Sequence, residues 1–413
     1  MKRGNNQNMQ QQQKTEQRII FPARIHSSFR RVREFAGGRK LLLLALMVFL
    51  LSSSCRDEFI PKINEYENNL VVDGIITDEA GGITIKISRT AEVNKPDYHP
   101  LSNCLVTIND DVGGSVQIHE AKPGVYTIDT QDYQATPGTS YQLSVVTPGG
   151  AEYESEFIKM KPPVAIEDVH ADLEFHETEE HENVGGYQFS VTSQEAEEDI
   201  NLLWRLSETY EYTSDFKIDY IYRGMGIEEF TNSDTLYRCW KTQNVHDFFV
   251  ASSRSLTTNQ ITGKPLHFVN STTKRLQIKY SLLVSQYNIS NEAYAYWRDI
   301  REQITTDDFL FSSQPYQIQG NIKNVSDPDE VVYGFLTVAP VSKKRIFKEH
   351  PDIAFYHTQC IPDPDLRGLG FLGPDQFPVY LTNSDEGIAL ASEYCFDCTL
   401  WDGVLNKPDF WEE

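Results

Sequence analysis

One stretch limits what this chain can become: Arg30 to Phe59, RRVREFAGGRKLLLLALMVFLLSSSCRDEF. Basic residues (Arg30, Arg31, Arg33, Arg39, Lys40) precede an unbroken apolar run from Leu41 to Leu51, and three serines then lead to Cys55. Eleven apolar residues make about 16 Å of helix, roughly half the hydrocarbon core of a bilayer. Such a run is too short to span stably and has the size of the apolar region of a secretory signal peptide. The chain beyond it is read as an exported, non-spanning body whose cysteines meet an oxidising compartment.

The small residues directly before Cys55 resemble the lipobox of bacterial lipoproteins. That resemblance implies cleavage before Cys55, acylation of its thiol by palmitate or a similar chain, and anchoring of the new N-terminus by lipid alone. Residues 1–29 are polar, Gln-rich and basic, and far longer than an export signal requires. They are expected to be an extension from a start placed too far upstream, with translation beginning near Val32. Arg56-Asp57-Glu58 resembles the surface-export signal of Bacteroidota lipoproteins, so display on the outer membrane at the cell surface is expected. The expected layout is a signal with its extension at 1–54 and a lipidated tether at 55–68. An immunoglobulin-like β-sandwich is expected at 69–160, and a larger β-rich C-terminal domain with disulfides at 161–413.

Charge narrows the partners. The whole chain carries a formal charge of −23, and removing residues 1–54 leaves 27 basic against 58 acidic side chains, or −31. Such a surface repels nucleic acid phosphates and anionic headgroups, so neither is an expected partner. It suits a soluble body held near a membrane by acyl chains on one residue. Aromatic residues make up 12% of the sequence, with many Tyr and Phe, which favours β-structure and a substantial core.

The pattern after Asn69 is one of short alternating strands. Leu70-Val-Val-Asp-Gly-Ile-Ile and Ile83-Thr-Ile-Lys-Ile-Ser come first, followed by Leu105-Val-Thr-Ile-Asn, Ser115-Val-Gln-Ile-His and Tyr141-Gln-Leu-Ser-Val-Val. Gly and Pro turns separate them, as in an antiparallel sandwich of immunoglobulin type. Met160-Lys-Pro-Pro-Val reads as a linker, because paired prolines stiffen the chain and cannot join a ladder. Strands resume with Gly186-Tyr-Gln-Phe-Ser-Val, Leu202-Leu-Trp-Arg-Leu-Ser and the long alternating run from Arg275 to Tyr287. A single clear helix begins at Ser290, with Tyr294 and Trp297 placed either in its packing face or along a ligand groove. Gln317 to Ala339 is expected to be a hairpin across Ser326-Asp327-Pro328-Asp329. The predicted fold class is therefore mainly β, a sandwich followed by a larger antiparallel β domain with one helix.

Chemistry is sparse. Glu174–Glu182 (EFHETEEHE) holds two histidines among carboxylates, and Asp327, Asp329 and Glu330 form a small acidic turn. Neither spacing matches a defined metal site, so both are read as solvated loops, and no metal or other cofactor is expected. There is no Gly-x-Ser-x-Gly, no His-Glu-x-x-His and no phosphate loop, so no catalytic residue is singled out and the chain is read as non-enzymatic. With Cys55 taken by lipid, five cysteines remain, and an odd number leaves at least one unpaired. Cys104, in a strand-like run, is expected to be the buried free thiol. Cys239, Cys360, Cys395 and Cys398 are expected to form two disulfides tying the C-terminal segment to the second domain; a four-thiolate zinc site is the alternative.

Several of these motifs form an ordered series. The lipobox comes first, then the early sandwich with Gly124-x-Tyr126 and Pro137-Gly-x-x-Tyr141. Gln319-Gly-Asn-Ile and Val332-Tyr-Gly-Phe come later, and Cys395-x-x-Cys398 with Lys407-Pro-x-Phe-Trp closes the series. Together they resemble a family of uncharacterised Bacteroidota outer-membrane lipoproteins, known as a domain of unknown function, whose members are often encoded beside TonB-dependent receptors. The resemblance implies an accessory or ligand-binding partner of such a receptor, with a small-molecule or glycan ligand of unknown identity. A structural envelope lipoprotein and a surface hydrolase are the alternatives.

Overall fold

A computed structural model describes residues 68–91, 97–128, 133–306 and 318–412. The expected signal, Cys55 and the expected tether up to residue 67 lie outside these residues. The first layer begins where period-two alternation begins. β1 (Leu70–Ile76) and β2 (Ile83–Arg89) pair antiparallel from Leu70↔Arg89 to Ile76↔Ile83. Their alternate residues Leu70, Val72, Ile76, Ile83, Ile85 and Ile87 are all but fully buried, as the pleat requires. β3 (His99–Pro100), β4 (Leu105–Asp110), β5 (Ser115–Lys122), β6 (Val125–Thr127), β7 (Ser140–Val146), β8 (Glu152–Ser155) and β9 (Ile158–Lys159) continue the layer. The β5–β6 turn needs Gly124, which has φ +70° and would place a Cβ 2.6 Å from the Ile87 carbonyl oxygen. Cys104 is a free, buried thiol whose ionisation burial disfavours. Its backbone N–H donates to the Tyr126 hydroxyl at 2.9 Å, which in turn donates to the Leu101 carbonyl at 2.9 Å.

The linker is not slack. The Asn288 amide donates to the Pro162 carbonyl and the Gln286 amide to the Val164 carbonyl, both at 2.8 Å. Trp204 Nε1 holds Gln286 in place from behind, at 2.9 Å. Beyond the linker lie β10 (Ile166–His176), β11 (Val184–Ser193), β12 (Asn201–Thr213), β13 (Tyr220–Tyr222), β14 (Ile227–Glu229), β15 (Arg238–Ser252), β16 (Lys264–Asn270) and β17 (Lys279–Asn288). The three-stranded sheet β10-β11-β16 packs on the sheet that begins β15-β12-β17, around Phe189, Val191, Leu202, Trp204, Tyr280 and Leu282. Leu203 points the other way and meets helix α1 (Asn291–Thr306), whose Ala293 packs beside Phe335 and Tyr296. Ser290 caps the helix by accepting from the Ala293 N–H at 3.1 Å.

The returning chain completes both layers. β18 (Ile322–Asn324) joins β8, and β19 (Leu336–Val338) runs parallel beside β1, while β20 (Val341–Glu349) adds to β17. The first sheet thus has the order β18-β8-β7-β4-β5-β6-β2-β1-β19, so residues 69–160 do not finish it alone. This corrects the expected hairpin over Gln317–Ala339, since its two strands lie at opposite ends of one sheet. The reason is local. The Asn321 side chain takes both backbone groups of Leu336, accepting its N–H at 2.8 Å and donating to its carbonyl at 2.9 Å, in place of a ladder. Gly334, at φ +90°, passes so close to β1 that a Cβ would sit 2.1 Å from the Val72 carbonyl oxygen.

β21 (Val379–Ser384) and β22 (Gly387–Leu390) form a small sheet with β13 and β14. The C-terminal segment is bonded back twice, Cys239 to Cys398 and Cys360 to Cys395. The chain is mainly β, and no helix among the described residues is long and apolar enough to cross a membrane.

Candidate binding cleft

A cleft of about 1540 Å³ opens along the seam between the first sheet and the second pair of sheets. Four separated segments wall it: 156–165 of β9 and the linker, 194–200 after β11, the first turns of α1, and 318–321 of the returning chain. Local chemistry holds these walls. The prolines keep the linker extended, the Ser290 cap fixes where α1 starts, and Asn321 pins the returning chain to Leu336.

The lining is mixed in character. Lys161 is half-buried, and desolvation lowers the pKa of its ammonium. Glu292, Glu198 and Asp199 favour its charge from a distance, yet among the described residues the ammonium makes no hydrogen bond or ion pair. Asn288 is 5% exposed; with its amide nitrogen committed to Pro162, its Oδ1 is buried without a partner. An unsatisfied buried acceptor of this kind costs about 1–3 kcal/mol. Tyr296 stacks on Phe335 with centroids 4.6 Å apart, and burial pushes its hydroxyl up to about 12. Phe157 contributes a half-exposed ring.

A second concentration of buried charge has a different character. Glu208, on β12, is 1% exposed, and its carboxylate accepts from Gln243 at 2.6 Å and Tyr280 at 2.7 Å. Arg275 stands 3.5 Å away and His267 Nε2 3.8 Å, the latter too long for a hydrogen bond. Burial alone would raise its pKa, but the imidazole, the guanidinium and the two hydrogen bonds outweigh it and hold the group down at about 2. It does not line the cleft, and the cluster is a pinned polar core.

The residues singled out by sequence are scattered over the fold. Cys55 lies outside the described residues. Cys239, Cys360, Cys395 and Cys398 are the two disulfides, and none of them lines the cleft. Within the acidic run, Glu174–His176 ends β10, where His176 meets Glu174 at 2.9 Å. Glu330 accepts from the Tyr153 hydroxyl at 2.8 Å and from the Asn324 amide, so it is part of the turn's own bonding. Among the described residues no group of three or more His, Cys, Asp or Glu gathers to hold a metal. Trp297 packs against Phe248 and donates to Thr337 Oγ1 at 3.2 Å, while Ala295 and Tyr296 of α1 line the cleft. Lys161, Asn288 and Glu292 were not foreseen from the sequence. The only local signal was Lys161 standing before Pro162-Pro163.

No curated protein matches this chain. One protein family does, over residues 56–345, a span that starts just after Cys55 and contains every wall of the cleft. It stops before Cys360, so the disulfide-bonded end lies beyond it. By this match, the chain belongs to the family described as Domain of unknown function (DUF4249).

Proposed function

We propose that the chain is a lipid-anchored outer-membrane lipoprotein, displayed at the cell surface, that acts without catalysis as the ligand-binding or accessory partner of a TonB-dependent receptor. The observation that carries this reading is the pairing of a lipobox-like Ser52-Ser53-Ser54-Cys55 with a large cleft built from four separated segments. Large mixed clefts at domain seams are where ligands bind. Receptor partnership rests on the sequence resemblance.

Lipidation is tested first. Cys55→Ala is expected to abolish incorporation of radiolabelled fatty acid and to leave the precursor uncut or released; label retained by the variant would sink the anchor. Partnership is tested by affinity capture of the tagged wild type from cross-linked outer membranes. A TonB-dependent receptor is expected at a stoichiometry near one. Capture of the anchored chain alone would instead favour a structural envelope lipoprotein.

A further inference from the structure

We infer that the cleft takes an extended peptide with free charged groups, its terminal carboxylate on Lys161 and its cationic groups on the acidic wall. This rests on the reading of the chain as a ligand-binding protein and names the ligand's class. Size comes first. At about 1540 Å³ the cleft exceeds the roughly 300–1,000 Å³ usual for a single small molecule, so an elongated ligand fits it better.

Charge then selects among elongated ligands. Seven carboxylates and three lysines line the cleft, an excess that repels polyanions such as nucleic acid or sulfated glycan. A neutral glycan carries no charge to answer the Lys161 ammonium. A polyamine would match the carboxylates and leave Lys161 unanswered. A peptide answers both signs. Its carboxylate can accept charge-assisted hydrogen bonds from the Lys161 ammonium, which has no partner among the described residues. Its ammonium or basic side chains suit Glu198, Asp199 and Glu292.

The third observation is neutral. Asn288 Oδ1 is an acceptor without a donor in a residue that lines the cleft. Backbone N–H groups are the donors that an extended peptide presents at regular intervals. Phe157 and the Tyr296–Phe335 stack supply apolar surface for side chains.

The test uses purified chain from residue 56 to the C-terminus with disulfides intact. The probes are a randomised hexapeptide mixture with free termini, the same mixture amidated at its C-terminus, and maltohexaose, each read by native mass spectrometry and calorimetry. The free mixture is expected to contain binders at least tenfold tighter than any in the amidated one. Lys161→Met should erase that difference and Lys161→Arg restore it, with unfolding midpoints unchanged. Equal binding of the two mixtures, binding of maltohexaose alone, or no binding of any probe overturns the inference. Receptor capture by the wild type separates the two ideas, because a wild-type chain that captures the receptor yet binds none of the peptides removes the peptide and keeps the partnership.

Discussion

Cys239→Ala/Cys398→Ala is expected to lose about 5 kcal/mol of stability, the larger loss of the two disulfide pairs. The bond closes a loop of 159 residues, and in the chain-entropy account a loop of that size restricts the unfolded chain by about that amount. Cys360–Cys395 closes 35 residues and is expected to contribute about 4 kcal/mol. What the first bond holds is visible in its surroundings. Tyr212 donates to the Cys398 carbonyl at 2.7 Å, and Trp240 exchanges backbone bonds with Val404 at 2.9 and 2.8 Å. Farther along, Trp411 meets Phe347 edge-on, and Phe410 lies under the Arg345 guanidinium at 3.7 Å. Urea unfolding of both double variants measures the effect. A loss below about 1 kcal/mol for the 239–398 pair would mean that these contacts hold the segment without the bond.

The second large effect is at Glu208. Glu208→Ala should cost about 3–5 kcal/mol, because it leaves the Arg275 charge and two buried donors without their acceptor. The wild type should also be acid-sensitive in a defined window. Its folded pKa is about 2 against an ordinary 4.5, so between these values the unfolded chain binds the proton more readily. This group's contribution, about 3 kcal/mol, is complete above the ordinary value and is lost as pH falls toward the folded one. Glu208→Gln should flatten that part of the stability–pH curve. Parallel curves for wild type and Gln variant from about pH 5 down to about pH 2.5 would refute the assignment.

Glu208 also shows where a sequence stops being legible. In Leu206-Ser-Glu-Thr-Tyr-Glu nothing local says what a buried carboxylate would meet, since its partners come from β15, β16, β17 and the turn before β17. Strands whose inward residues are all apolar, such as β1, β2 and β7, announce themselves by alternation. β15 does not. It carries Lys241, Gln243, Asn244, His246 and Asp247 along its fifteen residues and has no clean apolar period. The cysteines were legible by count, but which pairs form depends on the fold bringing Cα atoms to 5.8 and 6.0 Å. The cleft was illegible for the same reason as Glu208: its walls are far apart in sequence and meet only through the linker's grip and the Asn321 clamp.

The late arrival of β18 and β19 has a consequence for biogenesis. A chain threaded across a membrane from its N-terminus presents β1 to β9 long before Ile322 and Leu336 emerge. During that interval β1 and β8 each hold out a bare row of backbone donors and acceptors, the template for pairing with the wrong strand. If the chain is exported as proposed, export and folding are coupled, because the first sheet stays unfinished until most of the second half has crossed. A protein built in this order depends on being shielded in transit, and conditions that slow its passage should show up as aggregation of its N-terminal half before any loss of the finished protein.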